Sequence, residues 1–227
     1  MEKTTETLQK FELYLSDLKN FACMVRKIKG VRRLYTPFHI FAKNLAIKTM
    51  KIHIMGASCA GSTTLGMALA KQSGIPYFDT DDYFWEPAET PYTVKRNAEL
   101  RNQMLLDDLA RQNDWILGGS LISWGKHWAA MFDLVVFLYI PKEIRLQRLV
   151  EREEERYGDM IYTDAERRQL FQEFLDWASK YDDVDFTGRN IRIHENWLTQ
   201  ITCKVLEIRG DTTVDERLRL IREAQLQ

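Results

Sequence analysis

Lys51-Ile52-His53-Ile54-Met55-Gly56-Ala57-Ser58-Cys59-Ala60-Gly61-Ser62-Thr63-Thr64 is the stretch on which the reading of this chain turns. Its first five residues alternate and are rich in β-branched side chains, the pattern of a strand. Gly56 and Gly61 then bracket four small residues, which lets the backbone curl tightly. Helix-favouring Leu65–Gln72 follows, with Gly74 as a C-terminal stop. In a strand–loop–helix setting, such a curl points successive N–H groups inward as an anion nest, and the helix N-terminus adds positive potential. The pattern Gly-x-x-x-x-Gly-Lys-[Ser/Thr] expects a lysine to neutralise outer phosphates, and this chain has Ser62 there. Thr63 falls where a hydroxyl would ligate magnesium. The alternative is an ordinary glycine-rich turn between strand and helix.

Working outward, Pro76-Tyr77-Phe78-Asp79 predicts a second strand ending in acid, and residues 95–112 a helix with Leu100, Met104, Leu105 and Leu109 on one side. Trp115-Ile116-Leu117 predicts a third strand, running into Gly118-Gly119-Ser120. Leu134–Ile140 is an unbroken apolar run that fits a strand buried on both faces. A long charged helical region over 142–181, a fifth strand at Lys204–Arg209 and a last helix from about Val214 complete the series. Strands alternating with helices imply a parallel sheet with right-handed crossovers.

The whole chain has 227 residues, 45% hydrophobic and 29% charged, which excludes wholesale disorder and fibrous repeats. Leu134–Ile140 is the longest apolar run and falls far short of the roughly 18 residues needed to span a bilayer. No apolar leader with a cleavage site is read at the start. Cys23, Cys59 and Cys203 are scattered and form no CxxC pair, which argues against a disulfide framework or a cysteine zinc site. The expectation is a cytoplasmic protein without a transmembrane segment.

Charge divides the chain. Residues 1–50 hold ten Lys/Arg against four Asp/Glu, and the rest holds 22 against 29. Leu8, Phe11, Leu15, Leu18, Ala22 and Val25 recur at helical steps, and Gly30 and Thr36-Pro37 break the pattern beyond them. We therefore expect a basic helical extension over 1–49 and a main domain over 50–227. The extension reads as a helix packed on the domain, as a basic amphipathic anchor, or as sequence upstream of a start at Met50. It is also a candidate contact for a second copy or a partner. Nucleic-acid binding fits poorly, because the main domain is acidic and the basic residues form no recognised module.

The loop Gly56–Thr64, the acidic Phe78-Asp79-Thr80-Asp81-Asp82, Gly118-Gly119-Ser120, and Asp133–Pro141 leading to Arg145, Arg148 and Arg152 together resemble P-loop kinases of small molecules. That group contains adenylate, shikimate and gluconate kinases. The set looks especially like a bacterial branch of adenylate-kinase-related ATPases that also lacks the loop lysine. The resemblance covers about 50–227 and implies a three-layer α/β/α P-loop domain with a five-stranded parallel sheet, using ATP and Mg2+. It implies nucleotide binding by Gly56, Ala57, Ser58, Cys59, Ala60, Gly61, Ser62, Thr63 and Thr64. It further implies metal contact by Thr63 and Asp79, and acceptor contact by Asp81, with Asp82 able to replace either acid. Gly118 and Gly119 would admit the acceptor to the backbone.

Cations remain to be found for a transferred phosphoryl group, since such catalysis is largely positioning and electrostatics. Arg145, Arg148, Arg152 and Arg156 share a helical stripe, interleaved with glutamates that form solvated pairs. Arg152 and Arg156, nearest Tyr157-Gly158, are the candidate lid arginines because a glycine can hinge there. Lys95, Arg96 and Arg101 are candidates for an anionic acceptor, and Arg189, beyond Gly188, is a further one. Trp85, Trp124 and Trp128 with Tyr83, Phe84 and Tyr92 fit either an acceptor pocket or the core. The leading expectation is a kinase acting on a nucleotide or small hydroxylated metabolite. The rival, motivated by Ser62, is a nucleotide-binding regulatory protein without transferase activity.

Overall fold

A computed structural model describes residues 50–226, so the expected extension over 1–49 and Cys23 lie outside the described residues. The elements run β1 (Lys51–Gly56), α1 (Ser62–Ser73), β2 (Tyr77–Asp79), α2 (Thr80–Phe84), α3 (Ala98–Ala110) and β3 (Trp115–Gly118). A 3-10 turn (Lys126–Ala130), β4 (Leu134–Tyr139), α4 (Lys142–Tyr157), α5 (Met160–Thr163) and α6 (Ala165–Ser179) follow. The chain then forms α7 (Ile191–Leu198), β5 (Lys204–Arg209) and α8 (Val214–Leu226). All strand pairings are parallel, in the order β2-β3-β1-β4-β5. The expected five-stranded parallel sheet is therefore present.

Alternation along the central strands sorts the core into two layers. Ile52 and Ile54 of β1 and Leu134, Val136 and Leu138 of β4 face α1 and α8, meeting Leu65, Leu69, Leu218 and Ile221. Met55, Val135 and Phe137 face the other side, with Leu105, Leu109, Trp128 and Trp197. Burying both faces explains why β4 is a continuous apolar run rather than an alternating one. Each such fully buried side chain contributes about 1.5–3 kcal/mol. A third cluster around Leu149, Ile161 and Phe171 joins α4, α5 and α6, with Cys59 of the glycine loop packed against it.

The order places β1 centrally, with β3 on one side and β4 on the other, so the loop after β1 lies where connections diverge. In open α/β sheets that crevice, beyond the carboxyl ends of the strands, is where ligands bind.

Three local features differ from the sequence expectation. The region 142–181 is three helices, broken at Gly158 (φ 56) and at Asp164, whose carboxylate accepts from Arg167 N–H as an N-cap. The helix expected from 95 starts at Ala98, because Asn97 caps it by accepting from Glu99 and Leu100 N–H. The helix Ile191–Leu198 went unread. Its start is set by Asn190 Oδ1, which accepts from Ile193 N–H at 2.8 Å. Among the described residues no helix is long and apolar enough to cross a membrane, and Cys59 and Cys203 are free thiols.

Candidate phosphate-binding and acceptor site

The loop from Gly56 to Gly61 closes on itself through Ala60 N–H donating to Ala57 O at 3.1 Å. The curl requires left-handed backbone at Cys59 (φ 62) and Gly61 (φ 92). Gly56 is demanded by packing, since a Cβ there would lie 2.6 Å from Leu138 O. Ala57 and Ala60 are buried, Ser58, Cys59, Gly61 and Ser62 are half-buried, and Thr63 and Thr64 are exposed at the start of α1. Burial raises the Cys59 thiol above its ordinary range, against the opposing pull of Arg152 and Arg156.

Asp79, at the carboxyl end of β2, faces the loop. Its Oδ2 accepts from Thr63 Oγ1 at 2.9 Å and from Tyr77 OH at 2.7 Å, while Oδ1 accepts from Asp81 N–H at 3.0 Å. The structure thus brings Thr63 and Asp79 together. Burial, then the Asp79 carboxylate, pushes the Tyr77 phenol far upward, so Tyr77 remains a donor. Asp81 and Asp82 are exposed residues at the start of α2, and desolvation of their carboxyls followed by repulsion from Asp79 raises both. Arg189 and then Arg152 pull Asp81 back down.

Gly118 and Gly119 lie against β2 and α2. A Cβ on Gly118 would meet Tyr77 OH at 2.1 Å, and one on Gly119 (φ 103) would meet Thr80 Oγ1 at 1.9 Å. Their missing side chains let the acidic segment approach, and Ser120 N–H donates to Thr80 Oγ1 at 3.2 Å.

The arginines fall into distinct settings. Arg96 Nη1 donates to Asp82 O and Tyr83 O, holding the end of α2. Arg101 is buried between the Phe84 and Trp124 rings, 4.7 and 4.5 Å from their centroids, with Nη2 donating to Ser123 O and Nε unpartnered. Arg152 and Arg156 both pair with buried Glu153, at 3.1 and 3.8 Å. Arg148 pairs with Asp211, and Arg145, 1% exposed, with Asp182.

Two further arginines touch the loop. Arg189 Nη2 donates to Ser58 Oγ at 3.3 Å, and its Nε is buried without a partner. Arg217 Nη1 donates to Ala60 O at 3.1 Å and Nε to Thr212 Oγ1 at 2.9 Å, leaving Nη2 unpartnered. Arg217 was not singled out in the sequence. Within Val-Asp-Glu-Arg-Leu it reads as one more charge on an amphipathic helix, and no local signal marks it.

A polar relay missed by sequence reasoning lies beside Ser120. Its hydroxyl is 3.4 Å from His194 Nε2, and Tyr181 OH is 2.7 Å from His194 Nδ1. Burial, then Arg189, lowers His194 to about 3, so the ring is neutral. On β1, burial likewise lowers His53 to about 4 despite its contact to Leu117 O. His127, by contrast, is exposed. Among the described residues no three His, Cys, Asp or Glu side chains group into a metal cage. A magnesium carried by nucleotide phosphates does not need one, because one or two protein ligands suffice.

A glycine loop between a central parallel strand and a helix, faced by an acid from the end of β2 one strand beyond β3, defines an α/β/α fold of the P-loop kind. No family model matches the chain. The Bacillus subtilis (strain 168) protein YqaC, described as uncharacterized, is 41% identical over 167 residues, which is 74% of this chain and 92% of that protein. The chain belongs to the family of YqaC. A shikimate kinase of Acinetobacter baylyi is 29% identical over 130 residues, 48% of this chain and 72% of that protein. Cytidylate kinase 2 of Borrelia garinii subsp. bavariensis is 26% identical over 142 residues, 52% and 71% of the two chains. Among solved structures, a shikimate kinase from Acinetobacter baumannii in complex with shikimate aligns with TM-score 0.49 at 19% identity, over 82% of this chain and 99% of that one.

Proposed function

We propose that the chain is a cytoplasmic ATP- and magnesium-dependent phosphotransferase acting on a small hydroxylated acceptor, with residues 50–227 as the kinase domain and 1–49 as a separate basic extension. The observation that carries this reading is the contact of Thr63 Oγ1 with Asp79 Oδ2, 2.9 Å across the mouth of the glycine loop. A hydroxyl and a carboxylate at that spacing, beside a nest of backbone donors, suit a magnesium ion that arrives with phosphates.

Magnesium would be held by Thr63 and Asp79 and would neutralise charge on the transferred group. The backbone N–H groups of 57–63 and the N-terminus of α1 hold the phosphate chain. Asp81, with its carboxyl raised by desolvation and Asp79, accepts the acceptor hydroxyl's proton, with Asp82 beside it. Arg101 and Arg96, flanking the acidic segment, favour an anionic acceptor such as a nucleotide or a hydroxylated acid. Gly118 and Gly119, whose free space Tyr77 and Thr80 fill, act on the acceptor only by setting where the acidic segment lies. Arg152 and Arg156 would turn toward the phosphoryl group on lid closure about Gly158.

Ser62 favours one other reading, a nucleotide-binding regulatory protein without transferase activity. Calorimetric titration of ATP, with and without magnesium, into the full chain comes first, followed by an acceptor panel drawn from nucleoside monophosphates and hydroxy acids. Magnesium-dependent binding with phosphoryl transfer to a panel member is the expected result. Asp79→Asn should then lower kcat by about 100-fold or more while the protein stays folded. Binding without transfer would favour the regulatory reading, and a wild-type rate in Asp79→Asn would overturn the role given to that acid.

A further inference from the structure

A loop that holds nucleotide phosphates without a lysine at position 62 needs its positive charge from elsewhere in the fold. The arginines near it separate on what already neutralises them. Arg152 and Arg156 share the buried carboxylate of Glu153, which Arg167 also approaches at 4.0 Å. Arg148 pairs with Asp211. Arg217 donates to the Ala60 carbonyl. In a nest the N–H groups converge on the anion and the carbonyls point away, so Arg217 braces the loop from its outer side.

Arg189 is placed differently. It reaches the loop through the Ser58 side chain at 3.3 Å, its Nε is buried and unpartnered, and no carboxylate lies in ion-pair range among the described residues. The charge that acts on it most is Asp81, two residues beyond the Asp79 that meets Thr63. The guanidinium is also held firmly. Its carbon sits 4.9 Å from the Trp177 ring centroid. The next residue, Asn190, is 1% exposed, caps α7 through Oδ1 and donates from Nδ2 to Phe186 O at 2.6 Å. Gly188 lets the chain pass Phe186 and Trp177, where a Cβ would lie 2.4 Å from the Phe186 ring. So many local restraints on one loop cation, aimed at a phosphate loop short of one charge, need a ligand to explain them.

We propose that Arg189 supplies, from the segment before α7, the positive charge that the phosphate loop lacks at position 62, contacting the outer phosphates of a bound nucleoside triphosphate. The inference rests on the phosphoryl-transfer reading above and assigns a phosphate-binding residue that the loop pattern does not contain. Arginine suits the task because its planar fork meets phosphate oxygens in pairs while a further N–H keeps Ser58.

The test is magnesium-ATP and ADP titration into the full-length wild type, Arg189→Gln, Ser62→Lys and the double variant. Arg189→Gln is expected to lose about ten- to hundredfold in ATP affinity, and less for ADP, as for a charged hydrogen bond to the outer phosphates. Adding Ser62→Lys to it should restore most of that loss, which a merely structural role for Arg189 would not allow. Ser62→Lys alone, which leaves Arg189 in place, should gain less than about threefold because the charge is already present. Arg189→Gln binding ATP as wild type does, or the double variant showing no rescue, overturns the inference. Should Arg189→Gln not fold, Ser62→Lys decides alone, a tenfold or greater gain showing a loop that lacks its charge. Failure of both wild type and Ser62→Lys to bind ATP would instead remove the phosphotransferase reading itself.

Discussion

Two arginine-bearing regions of this molecule differ in how their cations are neutralised: α4 carries four arginines, and the segment before α7 carries one. The stripe Arg145, Arg148, Arg152 and Arg156 on α4 is the conspicuous one, and each of its members meets a carboxylate: Asp182, Asp211 or Glu153. The segment Asp182–Asn190 carries one cation near the loop, Arg189, which contacts the Trp177 ring and the Ser58 hydroxyl and feels the Asp81 carboxylate without forming an ion pair with it. Only Arg156 finds its carboxylate three positions away on the same helix, while Arg145 and Arg148 are neutralised by Asp182 and Asp211 from other segments. A cation at the end of a loop is aimed by its anchors. Density of arginine is thus a poor guide to where free positive charge lies.

The largest effect expected on the stripe side is structural. Arg145 is almost fully buried, donating to Ile140 O, Ala178 O and the Asp182 carboxylate. Arg145→Met should destabilise the fold by about 3 kcal/mol in urea titration, because it strands two carbonyls and a carboxylate. A change under about 1 kcal/mol would break the contrast, showing Arg145 to be as dispensable as a surface charge.

Acid sharpens the contrast from the other side. The Arg189 segment is flanked by Tyr181 and His194, and His194 must stay neutral to accept at Nδ1 while Nε2 faces Ser120. His194 and His53 sit at about 3 and about 4 in the fold, below their ordinary 6.5. Depressed values mean the unfolded chain takes up protons first, so stability is complete above pH 6.5 and is lost as pH falls toward the folded values. Between pH 7 and 5.5 each ring should remove about 1 kcal/mol. Equilibrium denaturation across that window, with His194→Gln expected to halve the slope, is the check, and an unchanged slope would place the proton uptake elsewhere.

The smallest effect on stability belongs to the exposed end of the stripe. Arg156 is 42% exposed and 3.8 Å from Glu153, so Arg156→Ala should change stability by no more than about 0.5 kcal/mol. Turnover should nonetheless fall about tenfold or more, because lid closure takes Arg156 from its carboxylate to the phosphoryl group, and an unchanged rate would leave the stripe outside the site.

The strands were legible because their signals are local. β4 reads as a buried run, and β1 reads as alternation entering a glycine loop. Asp79 was legible for the same reason, standing where a strand ends in acid. The helix Ile191–Leu198 was not, since it spans barely two turns and its start depends on one asparagine carboxamide. The roles open to Gly118 and Gly119 were only half legible. A glycine pair reads as room for a ligand, and the fold shows that room occupied first by Tyr77 and Thr80.

By itself the sequence determined the alternation of strands and helices, the glycine loop at Gly56–Thr64 and the absence of a lysine at 62, because each depends on residues a few positions apart. The tertiary structure alone decided which arginines reach that loop. Arg189 meets Ser58 across 131 positions of chain and Arg217 meets Ala60 across 157. Contacts at such separations are set by the order in which strands enter the sheet and by the caps that end each helix. No periodicity within the segments themselves records them.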